Sequence, residues 1–204
     1  MNGKILQELE SWLAAGGSRI GQIAIRGRYT LCHVDDLEND ALENFTDAEQ
    51  ARHLSLYDDT GAYRPLKTAP NLRHGWRLTL TTPGELRLAL DHFYPAMAGA
   101  FAAWRAQRLV ATPFRDTVNR QTGMYAVTKH ITDEQAGALI GSFCNDAKCL
   151  KKILWPIAPG KPVSTLPPEK FEPVTSNESF PLLCAESCNL LVAAARGVVK
   201  KSTQ

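Results

Sequence analysis

Phe143-Cys144-Asn145-Asp146-Ala147-Lys148-Cys149-Leu150 and, further on, Leu183-Cys184-Ala185-Glu186-Ser187-Cys188-Asn189 are the stretches that decide how this chain folds. They place four of its five cysteines as C-x4-C, a gap of thirty-four residues, then C-x3-C. Cysteines in tight pairs are the pattern of metal binding or redox chemistry where thiols stay reduced. Four thiolates complete the ligand set of an iron–sulfur cluster. They also satisfy structural zinc, although zinc sites more often pair their cysteines two residues apart than at the gaps seen here. Two buried pairs with no metal are the bland alternative. Cys144, Cys149, Cys184 and Cys188 read as the ligands of one centre, a [4Fe–4S] cluster ahead of [2Fe–2S] or zinc, a choice that spacing alone does not settle.

Cys184 and Cys188 are four apart, so on a helix their sulfurs would share one face near its N-terminus, where the dipole favours thiolate. Lys148, Lys151 and Lys152 flank the first pair and would offset cluster charge, while Phe143, Leu150, Trp155, Leu182 and Leu183 would keep water away. Arg120 lies in a polar run with Gly123 and is a further candidate for contact around the cluster, as are Lys148 and Trp155.

Outward from the cysteines, the chain divides into an N-terminal α+β part, 1–110, and a mainly helical cluster-binding part, 111–204. Ile5, Leu6, Leu9, Trp12 and Leu13 have helical spacing. Ile20–Ile25 and Tyr29–Val34, turned at Gly27, predict a hairpin in a small antiparallel sheet. Thr46-Asp-Ala-Glu49 predicts a capping box. Gly75–Thr81 alternates like a strand, and Thr82-Pro83 predicts a helix start, with a second helix after Pro95. Thr132-Asp-Glu caps a helix that delivers Cys144 at its end, and Cys149–Trp155 reads as a helical turn. Residues 156–181 hold seven of the twelve prolines and must cross as a long loop. Cys184–Val199 reads as a buried helix.

Composition excludes more than it identifies. The 204 residues suit one domain or two small ones. With 23 basic and 21 acidic residues there is no charge argument for nucleic acid or a membrane surface as partner. No apolar run nears the roughly 20 residues of a spanning helix, and the acidic, amphipathic N-terminus is unlike a signal peptide, so a cytoplasmic setting is expected. Cys32 reads as a small core residue. The five histidines show no ligand spacing. The basic residues Arg64, Lys67, Arg73, Arg77, Arg115 and Lys129 read as a solvated face, or as a grip for an anionic ligand. No catalytic constellation, Walker loop or dinucleotide fingerprint is present, so the chain is not assigned as an enzyme.

The thioredoxin-like [2Fe–2S] subunits of NADH dehydrogenase share the C-x4-C and C-x3-C spacing, but their Cys-Leu-Gly-Ala-Cys context is replaced here by Cys184-Ala-Glu-Ser-Cys188. Sirohaem-dependent reductases use a longer first gap. A broader likeness lies in Arg120-Gln-Thr-Gly-Met-Tyr125, Cys149-Leu-Lys-Lys-Ile-Leu-Trp-Pro156 and Pro181-Leu-Leu-Cys-Ala-Glu-Ser-Cys188. These resemble the C-terminal region of bacterial sirohydrochlorin chelatase-like proteins, where a stabilising domain and a [4Fe–4S]-binding domain follow a chelatase domain. The resemblance implies a cluster at the four cysteines, a setting in sirohaem or cobalamin metabolism, and a chelatase or redox protein as partner. The sequence holds no chelatase half, so only an accessory redox or sensing role carries over. The alternative is a metal that merely staples a protein-binding module.

Overall fold

The computed structural model describes residues 2–173 and 178–202. The elements run α1 (Asn2–Ala14), β1 (Arg19–Ile20), β2 (Ile23–Arg26), β3 (Thr30–His33), β4 (Glu43–Phe45), α2 (Gln50–Leu54), β5 (Trp76–Thr79), α3 (Pro83–Phe93), α4 (Met97–Arg105), α5 (Phe114–Asn119), α6 (Asp133–Phe143), β6 (Lys152–Ile153), β7 (Ser179–Phe180), β8 (Leu183–Cys184) and α7 (Asn189–Ser202), with 3-10 turns at Val34–Asp36, Gly123–His130 and Pro168–Lys170. The class is α+β. The described chain forms two compact units: residues 2–108 with 178–182, and residues 109–173 with 183–202.

The first unit is built on a six-stranded sheet in the order β4-β5-β3-β2-β1-β7. Its centre is antiparallel, as the hairpin around Gly27 (φ 53) demands. Both edges correct the antiparallel expectation, because β4 pairs parallel to β5 and β7 parallel to β1. Ser179–Phe180 is therefore a strand of this sheet, where the prolines around it suggested only loop. Phe180 is held by an edge-on contact with Trp12 at 5.2 Å and a tilted one with Phe101 at 4.0 Å. The predicted Thr82 cap forms fully, with Glu85 returning the bond to the Thr82 backbone. The apolar face of α3 then buries Leu86, Ala89, Leu90 and Phe93, with Phe93 stacked on Trp76 at 5.0 Å.

The Thr46/Glu49 capping box does not form. Asp47 takes over the turn, its carboxylate accepting from the Glu49 backbone N–H at 2.9 Å, and α2 starts only at Gln50 with no side-chain cap. Arg64, one of the residues read as solvated, is buried instead. It donates to Asn71 Oδ1 and to the backbone carbonyls of Ser55, Lys67 and Ala69 at 2.6–3.1 Å. That fan of bonds gathers the irregular 55–72 segment and satisfies carbonyls that have no ladder to join.

In the second unit, Thr132 and Gln135 cap α6, and the helix ends at Cys144 as its spacing predicts. Two expectations fail here. Residues 149–155 are not a helical turn: Ile153 and Trp155 are buried with the half-buried Leu154 between them, and β6 pairs parallel with β8. A proline at 156 already biases Trp155 toward extended backbone. Nor do Cys184 and Cys188 share a helix. Cys184 lies in β8, and the first bond of α7 runs from the Val192 N–H to the Cys188 carbonyl at 3.1 Å, so the helix begins after the second pair. The core gathers Phe114, Val118, Ile140, Trp155, Leu191 and Ala195. The proline-rich crossing lies along α6: Lys161 pairs with Asp133 at 2.5 Å, and the Thr165 hydroxyl donates to the Gly137 carbonyl at 2.7 Å. At Gly141 a Cβ would come within 3.0 Å of Thr165, so a side chain there would push the crossing away.

Candidate metal centre

Each of the four cysteines is delivered by a different local device. The C-cap of α6 sets Cys144, whose N–H donates to the Ile140 carbonyl at 2.8 Å. A turn closed by Asn145, whose carbonyl accepts from the N–H groups of Lys148 and Cys149, sets Cys149. The β6–β8 pair sets Cys184, and Leu154 N–H adds a bond to the Cys184 carbonyl at 3.0 Å. The start of α7, where free N–H groups and the helix dipole favour negative charge, sets Cys188. The short β ladder is what ties the two halves of the motif together across thirty-four residues of sequence.

All four are free thiols, three of them buried and Cys188 half-buried. Burial pushes the Cys144 thiol well above its ordinary range, and its neighbours Cys149, Cys184 and Cys188 push it further, against the pull of Lys170. Burial raises Cys184 as well, with Lys151 and the Trp155 indole opposing. Cys149, Cys184 and Cys188 thus bear on Cys144, and Cys149 and Cys188 bear on Cys184. Four sulfurs crowded into a water-poor site would lose their protons to a soft metal, which is the chemistry of thiolate ligation.

The surroundings fit such a centre. Trp155 Nε1 lies 3.2 Å from Cys184 Sγ, an N–H aimed at sulfur. Among the described residues, Trp12 Nε1, Asn145 Oδ1 and Ser187 Oγ are buried polar atoms without a partner, and the last two belong to neighbours in sequence of Cys144 and Cys188. A serine hydroxyl in that place suits donation to sulfide or thiolate. A single tetrahedral ion with bonds of about 2.3 Å would hold its sulfurs about 3.8 Å apart. Among the described residues, the group of ligating side chains whose donor atoms all fall within 4.8 Å of one another is a different one, His33, Asp35 and His74.

Of the other sequence candidates, Trp155 touches Cys184 as described. Arg120 pairs through its guanidinium with Glu186 at 2.5 Å, inside the second cysteine loop, and Thr117 donates to the same carboxylate at 3.3 Å. Lys148 is exposed on the first loop. Cys32 is a core residue of the sheet beside Ala24 and Leu42. His33 is buried, its Nδ1 accepting from the Asp35 N–H at 3.1 Å and its Nε2 3.1 Å from the side-chain amide of Gln22, so both ring nitrogens are already engaged. Sequence reading missed Lys170, whose buried ammonium reaches Asp146 at 2.7 Å and the Cys149 carbonyl. It missed Glu186 and Asp146 as well. Nothing in Pro167-Pro168-Glu169-Lys170-Phe171 marks that lysine, since its partners lie more than twenty residues away.

Comparison with known proteins gives two family matches. Residues 7–108 match the DR2241 stabilising domain, and residues 106–197 match the 4Fe-4S iron-sulfur cluster binding domain. No curated protein matches the chain. Among solved structures it is similar to DR2241 from Deinococcus radiodurans, with 29% identity and a TM-score of 0.74 over 94% of this chain. That protein is described as multi-domain, with structural similarity to chelatases but also two additional novel domains, and this chain spans 42% of its length. Among the described residues no helix is long and apolar enough to cross a membrane.

Proposed function

This chain belongs to the DR2241 stabilising-domain family, and from that premise we propose that its iron–sulfur domain is an accessory redox or sensing module for tetrapyrrole metabolism, in sirohaem or cobalamin synthesis. Iron–sulfur binding itself follows from the match over residues 106–197. The proposed ligands are Cys144, Cys149, Cys184 and Cys188, and the proposed cluster is [4Fe–4S]. The observation that carries this is that Cys144 and Cys184 lie in one buried core cluster with Cys188 packed against it, while the turn closed by Asn145 sets Cys149 five residues after Cys144. When bound, the cluster supplies a one-electron couple.

The chain's own residues do the rest. Trp155 and Ile153 exclude water, the Trp155 N–H donates to Cys184 Sγ, and the buried Ser187 hydroxyl next to Cys188 in sequence has no partner among the described residues. Arg120 holds the Cys184–Cys188 loop through Glu186. The tetrapyrrole setting is supported by the chelatase likeness of DR2241, and a chelatase or redox protein is the partner we propose. A second reading, a cluster that only staples the fold, is favoured by the way the β6–β8 ladder and the crossing are anchored around the cysteines. Redox titration followed by electron paramagnetic resonance separates the two. Reversible cycling with the fold intact is expected. A centre that cannot be reduced without loss of iron would overturn the redox role.

A further inference from the structure

Lys170 closes the 3-10 turn Pro168–Lys170 in the proline-rich crossing, and its side chain is 0% exposed. Its Nζ donates to Asp146 Oδ1 and to the Cys149 carbonyl, both in the loop between the first two cysteines. The Asp146 carboxylate is 56% exposed, so water screens it while the ammonium stays dry. Burying an ammonium is costly unless it is well paired. A neutral donor would serve the Cys149 carbonyl as well, so the hydrogen bonds alone do not call for a cation. The charge does reach the cysteines: the dry ammonium is bonded to the backbone of Cys149 itself, and Asp146, its other partner, lies two residues from Cys144. Four thiolates would supply the negative charge that a half-solvated aspartate does not.

We propose that Lys170 is the buried counter-ion of the metal centre, tying the crossing to the Cys144–Cys149 loop and holding the centre's potential above the value its thiolates alone would set. This rests on the cluster reading of the four cysteines. Reduction adds one electron and no atoms, so a fixed cation at short range through protein stabilises the reduced state more than the oxidised one. Lys170 is a positioning and tuning residue and touches no substrate.

The test compares wild type, Lys170→Met and Asp146→Asn, all purified anaerobically. Iron and acid-labile sulfide are counted, and the potential is measured by dithionite titration with electron paramagnetic resonance. Lys170→Met should shift the potential down. Asp146→Asn, which keeps the lysine and removes its screening carboxylate, should shift it up. A purely structural latch would move both variants the same way or neither, and either result overturns the proposal. If Lys170→Met retains no iron, Asp146→Asn decides alone: an upward shift supports the counter-ion, and none or a downward one refutes it. A wild-type chain without iron overturns the cluster reading and this role with it, whereas a loaded wild type whose variants do not move overturns Lys170 only.

Discussion

Replacing Trp155 tests how the second unit builds its cysteine site. The side chain is 2% exposed, stacks with Phe114 at a centroid distance of 6.1 Å, and points its N–H at Cys184 Sγ. Trp155→Ala removes the whole ring, and a buried tryptophan cut to alanine costs about 3–5 kcal/mol. Trp155→Phe keeps most of the ring but loses the N–H to sulfur bond and leaves a small void. That costs about 1–2 kcal/mol, the sum of a weak hydrogen bond and part of an aromatic ring. Hydrogen exchange of the α6 and α7 amides reads this unit directly, without assuming that both units unfold together. Alanine should lower their protection by at least twice as much, in free energy, as phenylalanine. Equal losses would show that the N–H, and not the ring, dominates. No loss in either variant would refute the placement of Trp155 in the core.

Cys184→Ser should lose most of the bound iron, while Cys32→Ser, altering a core residue of the sheet, should leave iron content unchanged; metal analysis of both variants checks this. Asp133 accepts from Arg115 and Lys161 at 2.5 Å each, and those bonds hold its carboxyl below the usual range. A carboxylate depressed in the folded state stabilises above its unfolded pKa of about 4 and loses that contribution as pH falls through the folded value. Thermal melts from pH 6 to 2 should therefore show Asp133→Asn less stable than wild type at the upper end, with the two converging at the lower end. Gly21 sits at φ 55 with a would-be Cβ 2.6 Å from the Tyr94 hydroxyl, so Gly21→Ala should destabilise the first unit by about 2 kcal/mol or more in urea melts.

What the sequence displayed was whatever short-range chemistry decides. Thr82 and Thr132 announced their helices because a cap needs only residues three apart. The Gly27 hairpin and the α6 helix that ends at Cys144 were legible for the same reason. Thr46 showed the same pattern and failed, since Asp47 offered the turn a competing carboxylate. Residues 149–155 were misread because helical and strand spacing coincide over so short a run, and the partner that settles it, Leu183–Cys184, is thirty residues away. The parallel edges β4 and β7, of three and two residues, carry too little periodicity to register at all. In the site, the cysteine spacing and Trp155 were visible, but Lys170, Asp146 and Glu186 look like ordinary surface charges until the crossing folds back over α6 and the cysteine loops. Arg64 was misjudged on the same ground, because burial of a cation depends on carbonyls gathered by tertiary structure.

Anaerobic purification followed by iron, acid-labile sulfide and zinc analysis reaches the core of the matter most directly. Iron and sulfide in equal amounts, about four of each per chain for a cubane, with zinc near absent, is the result this account predicts. One zinc per chain and no sulfide, or a folded chain with no metal at all, would contradict it.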